Sequence, residues 1–436
     1  MIKRLAACIR EYKRPTILTP VCMVGEVVCE CTIPLLTADL INAIQNGCTM
    51  QTILSFGLKL FVIAMLSLGF GSLSGWFAAE AAAGFAKNLR HDLYYQVQGF
   101  SFANIDRFST SSLVTRLTTD VTNIQNAFMM CIRIAVRAPM MLVFAVVMSV
   151  RVGKQLALIF AGIMPVLGFA LFLMIRSALP LFEAVFKKYD ALNNSVQENV
   201  QAMRVVKSFV REDYETEKFS AASDSVRKDF LKAEKILALN SPAMQFCVYT
   251  SMILISYFAA KLIVTSGGTY LGVGSLTSMI TYSMQILMSL MMLSMIFVML
   301  TMAQASGKRI CEVLDETSSL QNPAEPVYDV KNGDVDFDHV NFKYSAAAKR
   351  SALSDVDFHV RSGQTVGIIG GTGSSKTSLV QLICRLYDVT DGSVRVGGVD
   401  VRQYDLETLR NQVAVVLQKN VLFSGTIKEN LRWGDA

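Results

Sequence analysis

The sequence predicts an α-helical membrane domain of six transmembrane helices with long cytoplasmic extensions, followed by an α/β domain built around a phosphate-binding loop. Three observations carry this prediction. Apolar residues make up 52% of the 436 residues and charged residues only 17%. The first part of the chain has long uncharged stretches, and a glycine-rich turn follows an apolar run near residue 370. We place the membrane domain at residues 1–306, a linker at 307–333 and the α/β domain at 334–436.

Six segments are long and apolar enough to cross a bilayer. They lie at about residues 16–44, 53–84, 127–150, 155–178, 239–264 and 272–304. About 20 apolar residues span the hydrocarbon core as an α-helix, and stretches such as 156–175 and 263–306 carry no charge. The chain is therefore expected to be a multi-pass protein in contact with the lipid bilayer.

The charges that flank these segments predict their orientation. Residues 1–14 carry five basic side chains against one acidic side chain, and positively charged flanks stay in the cytoplasm. Six spans then return the chain to the cytoplasm near residue 305. We expect a protein of the inner or plasma membrane whose N-terminus and α/β domain are cytoplasmic. The long charged connections at 85–126 and 179–238 show helical spacing, which indicates helices that continue past the bilayer.

Four charged residues lie deep within two of the segments, namely Glu26 and Glu30 in the first and Arg133 and Arg137 in the third. A charge at the middle of a bilayer costs about 2.5–3.5 kcal/mol on insertion scales. These side chains are expected to face the interior of the helix bundle or to lie near the interface. A structural role and a role in lining a cavity both remain open.

The segment around residue 375 has the order strand, glycine-rich turn, helix. The apolar run at 365–370 leads into Gly-Thr-Gly-Ser-Ser-Lys-Thr at 371–377, and a second apolar run follows at 378–383. Such a turn points backbone N–H groups at phosphate oxygens, and the helix N-terminus favours negative charge. The lysine can reach the β- and γ-phosphates and the threonine can bind Mg²⁺. The candidate nucleotide-binding residues here are Gly370, Gly371, Thr372, Gly373, Ser374, Ser375, Lys376, Thr377 and Ser378.

One position departs from the phosphate-loop pattern G-x-x-x-x-G-K-[ST], because Ser375 stands where the pattern has glycine. The backbone N–H of this serine can still bind phosphate if its dihedral angles lie in the right-handed helical region. A positive φ would favour glycine instead. An ordinary glycine-rich turn without a ligand is the alternative interpretation.

Several short stretches resemble those of an ABC exporter half-transporter. They are Val-Asn-Phe-Lys-Tyr at 340–344, the segment 413–418 with 422–427, and possible coupling helices around 109–116 and 196–209. The resemblance implies that Tyr344 stacks on adenine and that Gln418, with Thr377, binds Mg²⁺ and senses the γ-phosphate. It implies ATP and Mg²⁺ as cofactors and a second ABC half-transporter as partner, in a homodimer or a heterodimer.

Other motifs of that family do not occur in the sequence. The Leu-Ser-Gly-Gly-Gln signature, an apolar run ending in Asp-Glu and the switch histidine are all missing. We therefore interpret the chain as truncated after the Q-loop, with an incomplete ATP-binding domain that contains no catalytic residue. Whether the complete site hydrolyses ATP is left open.

The resemblance implies ATP-driven export of a hydrophobic or amphipathic small molecule, lipid or peptide by alternating access. The alternative is an ATP-binding regulatory partner with a degenerate site in a heterodimeric exporter, and a third interpretation is an ATP-gated channel. The net charge of +6 is modest and does not suggest a nucleic-acid partner.

The last span is rich in methionine, whose flexible thioether suits a promiscuous hydrophobic cavity. The residues are Met279, Met284, Met288, Met291, Met292, Met295, Met299 and Met302. Contact with lipid, or simple packing, is the alternative explanation for this stripe.

Overall fold

A computed structural model of the chain describes residues 1–266, 271–345, 348–416 and 421–433. The chain forms two compact units, and neither is a continuous segment. The first, which we call the membrane unit, comprises Met1–Leu89 and Val121–Lys308. The second, the sheet unit, comprises Arg90–Asp120 and Arg309–Ala436.

The described residues before the sheet form eleven α-helices. They are α1 Ile2–Ala7, α2 Lys13–Gln45, α3 Met50–Gln98, α4 Phe102–Arg107, α5 Thr110–Thr115, α6 Val121–Val152, α7 Lys154–Gln201, α8 Met203–Ser208, α9 Glu212–Ala238, α10 Asn240–Ser266 and α11 Val273–Leu314.

Six helical segments are long and apolar enough to cross a membrane, which confirms the predicted number of spans. They are Arg10–Gln45, Met50–Gln98, Thr110–Val152, Lys154–Ala178, Glu212–Ser266 and Val273–Leu314. Helix α3 has 49 residues and α7 has 48, so each is roughly 70 Å long at about 1.5 Å per residue. A bilayer core is only about 30 Å thick. These helices therefore extend well beyond the membrane, as the charged connections predicted.

Helices α2 and α11 approach each other closely within the membrane unit. The buried hydroxyl of Tyr282 donates a hydrogen bond to the carbonyl oxygen of Cys31 at 2.8 Å. Near the C-terminal end of α2, the backbone N–H of Gly274 donates a hydrogen bond to Asn42 Oδ1 at 2.8 Å. A Cβ atom on Gly274 would lie 2.0 Å from the carbonyl oxygen of Ala38. Glycine is therefore required where α11 begins, since any side chain would push the helices apart.

The sheet unit contains an antiparallel sheet in the order β2-β1-β3-β4. Its strands are β1 Val335–Phe342, β2 Leu353–Val360, β3 Asp391–Val396 and β4 Val399–Asp400, and the helices after β2 are α12 Lys376–Ile383, α13 Leu406–Gln412 and α14 Ile427–Leu431. Phe337, Val340 and Phe342 of β1 are all buried, since a bulge at His339, where φ is +45°, changes the alternation of the strand. They pack with Leu382 of α12 in one hydrophobic core.

The apolar run at 365–370 does not form the predicted strand. It has no regular secondary structure, and the Ile369 side chain is almost fully exposed. A strand needs neighbours that accept its hydrogen bonds and cover its faces. Among the described residues, the four-stranded sheet pairs only β1 to β4 with one another. The strand prediction was therefore wrong here, although the run does lead directly into the glycine-rich loop.

Candidate nucleotide-binding site

Helix α12 holds the glycine-rich loop in place. Its residues Ser378, Leu379 and Leu382 are buried, whereas Gly371–Ser374 are exposed. The apolar side of the helix packs under β1 and β3, and the polar loop is left at the surface. The helix from Lys376 to Ile383 thus begins at the loop, and an α-helix leaves the first N–H groups of its backbone without partners inside the helix.

Lys376 folds its side chain back over the loop. Its ammonium group donates hydrogen bonds to the carbonyl oxygens of Gly370 at 2.7 Å and Gly371 at 2.8 Å. The Ser374 hydroxyl donates to the carbonyl oxygen of Gly371 at 2.9 Å. Gly373 has φ of +83°, a left-handed conformation that glycine adopts without strain. The loop therefore has the tight turn that a phosphate-binding loop needs, with a cation at its centre.

Ser375 is left-handed, with φ of +59° and ψ of +25°. The right-handed backbone on which phosphate binding by this serine depends is therefore absent, because its φ has the opposite sign. Residues with a Cβ atom pay roughly 1–2 kcal/mol in this region. The glycine of the usual pattern removes that strain, which explains the preference for glycine at this position.

Tyr344 follows β1 and lies beside α12. Its hydroxyl is 2.6 Å from the hydroxyl of Ser378, and about half of the residue is exposed. Its ring meets the rings of Phe342 at 4.8 Å and Tyr387 at 5.2 Å edge to face. The structure thus brings two predicted residues, Tyr344 and Ser378, together at the start of α12. Stacking of adenine on Tyr344 stays a prediction.

Tyr387 joins this group, and sequence reasoning missed it. Its hydroxyl donates to Asp106 Oδ2 on helix α4 at 2.7 Å, and its ring lies 6.1 Å from that of Phe102. Burial raises the pKa of the Tyr387 hydroxyl, and the hydrogen bond to Asp106 raises it further. Tyr387 is therefore a neutral donor at physiological pH. Nothing in the sequence pairs position 106 with position 387, which are far apart in the chain.

Within the sheet unit, further polar contacts hold α4 against the segment that follows α11. Asn104 Nδ2 donates to Glu316 Oε1 at 2.8 Å, and Arg107 Nη1 lies 2.7 Å from Glu316 Oε2. The Ser101 side chain caps the helix and lies 2.7 Å from the Ser319 hydroxyl. Residues 110–115 of the predicted coupling region 109–116 form helix α5. The hydrogen bond to Tyr387, however, is made by Asp106 on the preceding helix α4.

The donor set of the loop fits a nucleotide phosphate group. Exposed backbone N–H groups, the ammonium of Lys376 and the exposed Thr377 at the first turn of α12 all lie in one short segment. Thr377 could supply one oxygen ligand to Mg²⁺, a cation that prefers oxygen. Gln418, the second predicted Mg²⁺ ligand, lies outside the described residues.

Comparisons with known proteins match both parts of the chain. A family model for the ABC transporter transmembrane region matches residues 16–306, and one described as ABC transporter matches residues 353–436. The chain is 33% identical over 412 residues to the ABC transporter ATP-binding protein YfiB of Bacillus subtilis, covering 94% of this chain and 71% of that protein.

Two further relatives have names that state a transported molecule. An ATP-dependent lipid A-core flippase of Aromatoleum aromaticum is 29% identical over 389 residues, which are 88% of this chain and 63% of the flippase. A fatty acid ABC transporter ATP-binding/permease protein of Mycobacterium bovis is 31% identical over 346 residues, which are 79% of this chain and 54% of that protein.

Proposed function

Because the chain belongs to the ABC transporter family, we propose that it is one half of an ATP-driven exporter of hydrophobic or amphipathic molecules. The observation that carries the proposal is the loop of Lys376 at the start of α12, joined in one chain to six apolar helices. In this arrangement the N-terminus and the sheet unit are cytoplasmic, where ATP is available.

The residues of the loop would hold the phosphates of ATP. Lys376 has three N–H donors, and two of them now bond backbone carbonyls. These donors can turn to the β- and γ-phosphates, where charge-assisted hydrogen bonds are stronger. Backbone N–H groups of Gly371–Ser374 would contact the remaining oxygens, and Thr377 with Gln418 would bind Mg²⁺. The exposed face of Tyr344 would stack on the base.

Tyr344 and Tyr387 link this site to helix α4. Ser378, beside the loop, forms a hydrogen bond with Tyr344. The ring of Tyr344 packs against the ring of Tyr387. The hydroxyl of Tyr387 in turn donates a hydrogen bond to Asp106 on α4. A change in the position of Tyr344 when nucleotide binds would therefore reach α4 through direct contacts. We propose that closure of the ATP-binding domains moves the membrane helices through this contact, in an alternating-access cycle with a second half-transporter.

The transported molecule is proposed to be amphipathic, such as a lipid, a drug or a peptide. Two relatives carry names that state a lipid A core or a fatty acid. Several methionines of α11 also leave flexible apolar side chains exposed, including Met288 and Met295. Both observations favour a molecule with a large apolar part.

A regulatory half is the second candidate function, and the backbone of Ser375 favours it. A strained residue in the phosphate loop can reduce turnover while the other N–H donors still bind ATP. Such a chain would pair with a catalytic half in a heterodimer. Measuring ATP hydrolysis separately at each of the two sites of the assembled transporter distinguishes the two candidates.

Lys376→Ala tests the nucleotide site. Hydrogen bonds to charged groups contribute about 1.5–3 kcal/mol each, and about 1.4 kcal/mol corresponds to a tenfold change in affinity. We expect photo-crosslinking with labelled ATP to show at least about tenfold weaker binding in the variant. Lys331→Ala, which removes an exposed lysine before β1, is the matched control and should label like the wild type. Equal labelling of all three proteins would contradict the proposal.

A further inference from the structure

Three of the deep charged residues form an ionic cluster between α2 and α6, which we call the acidic triad. Arg137 Nη1 lies 2.7 Å from Glu26 Oε1, and Arg137 Nη2 lies 2.7 Å and 2.8 Å from the two oxygens of Glu30. The guanidinium group of Arg137 is therefore shared between the carboxylates of Glu26 and Glu30. With both glutamates ionised, the triad carries one excess negative charge.

Among the residues that the structure describes, no further cation forms an ion pair with the acidic triad and neutralises its excess negative charge. Glu26 Oε2 is buried and has no hydrogen-bond partner. Arg133, one helical turn before Arg137 on α6, makes no ion pair with any residue that the structure describes. An uncompensated carboxylate in the apolar interior of a membrane protein is costly. A positively charged ligand would remove that cost.

A glycine on α3 leaves space for the carboxylate of Glu26. A Cβ atom on Gly71 would lie 3.1–3.3 Å from the carboxylate atoms of Glu26, so the absence of a side chain there leaves room for the group. Only 11% of the Glu26 side chain is exposed, against 27% for Glu30 and 26% for Arg137. The triad thus has one buried carboxylate that is held in place and one accessible edge, formed by Glu30 and Arg137.

We propose that the acidic triad is a binding site for the positively charged group of an amphipathic cation. The inference rests on the proposed export function and gives its substrate a charge. The cation docks at the accessible edge against Glu30 and is attracted by the excess charge that Glu26 maintains. The apolar part of the ligand then lies against apolar side chains close to the triad, such as Met140, which follows Arg137 by about one turn of α6 and is exposed in this chain.

A pair of probes that differ in the sign of their charge tests the site. Tetraphenylphosphonium and tetraphenylborate have similar size and shape but carry opposite charges. We expect the purified full-length chain to bind tetraphenylphosphonium saturably in equilibrium dialysis. Glu26→Gln leaves a neutral Glu30–Arg137 pair and should weaken this binding at least about tenfold, which is about 1.4 kcal/mol. The same change should not weaken the binding of tetraphenylborate.

Two further variants separate the site from a general effect. Glu30→Gln removes the same charge at the accessible edge and should reproduce the loss, even if Glu26→Gln fails to fold. Asp39→Asn removes an exposed carboxylate from the same helix and should leave binding unchanged. Absence of saturable binding to the wild type, or equal affinity in the wild type and Glu30→Gln, would overturn the proposal. Labelling by ATP is read independently, so this result would leave the exporter function standing.

Discussion

At the scale of single residues, the neighbouring loop serines Ser374 and Ser375 differ in backbone conformation. Ser375 is left-handed and lies directly before α12, whereas Ser374 has ordinary φ and donates its hydroxyl to Gly371 at 2.9 Å. A glycine at position 375 removes strain of roughly 1–2 kcal/mol but loses about 0.5–1 kcal/mol through its greater freedom in the unfolded chain. The net effect should be a small stabilisation.

Ser375→Gly is therefore expected to raise the thermal midpoint of the purified chain by about 1–3 °C. Ser374→Gly, the matched control, loses a hydrogen bond without relief of strain and should lower the midpoint. The backbone N–H at position 375 is kept, so ATP affinity should change by less than about threefold, or under about 0.7 kcal/mol. A lower midpoint for Ser375→Gly would show that the left-handed backbone carries no strain.

The identity of the loop residues could be predicted from the sequence because the motif is local. The glycines, Lys376 and Thr377 follow one another, and the helix begins at the predicted place. The sign of φ at Ser375 could not be predicted, since the surrounding turn sets it. The contact of Tyr387 with Asp106 could not be predicted either, because it depends on how distant parts of the chain pack.

At the scale of elements, the two-turn helix α4 depends on a few polar contacts. Tyr387 reaches it with one hydroxyl, and Glu316 binds both Asn104 and Arg107. Short helices are marginal in isolation, so α4 should be sensitive to the loss of any of these contacts. That sensitivity suits the role that we propose for α4, which is to respond to the nucleotide site.

Tyr387→Phe removes the hydrogen bond to Asp106 and keeps the ring contacts. A hydrogen bond to a charged group contributes about 1.5–3 kcal/mol, so amide hydrogen exchange in Phe102–Arg107 should accelerate by about tenfold or more. Transport should fall while ATP labelling stays near the wild-type level. Tyr344→Phe is the control, since it removes the bond to Ser378 but leaves α4 untouched. Unchanged exchange in α4 would mean that Tyr387 does not hold this helix.

Elements were predicted well where hydrophobicity alone determines them. The six spans follow from long uncharged runs, and their number is confirmed. The strand at 365–370 was wrong because a run of apolar residues specifies a strand only when neighbouring strands cover it, and among the described residues the sheet pairs only β1 to β4. The local sequence thus identifies an apolar run, but packing against neighbouring strands decides whether that run becomes a strand.

At the scale of the whole molecule, the two compact units interleave in the chain. Residues 90–120 belong to the sheet unit although they lie between two membrane helices in sequence. The sequence suggested continuous domains at 1–306 and 334–436, since composition changes after residue 306. The assignment of 90–120 depends on contacts such as Asn104 with Glu316, which composition does not report.

The methionines of α11 offer a test of the transport path. Met279 is fully buried, whereas Met288, Met292 and Met295 are 65%, 41% and 67% exposed in this chain. The side chain of Met302 lies outside the described residues. Packing within the membrane unit therefore explains Met279 but not the exposed three. These three face lipid, a partner half or a cavity.

If they line the cavity, replacing Met288, Met292 and Met295 together by leucine should change which compounds are exported, because leucine is less flexible and lacks the polarisable sulfur. Volume-conserving swaps of this kind usually cost less than about 1.5 kcal/mol, so assembly should be intact by size-exclusion chromatography. Ile253→Leu on α10, at a position that is 68% exposed, is the matched control. An efflux profile identical to the wild type across a compound panel would place the methionines outside the transport path, at the lipid or the partner surface.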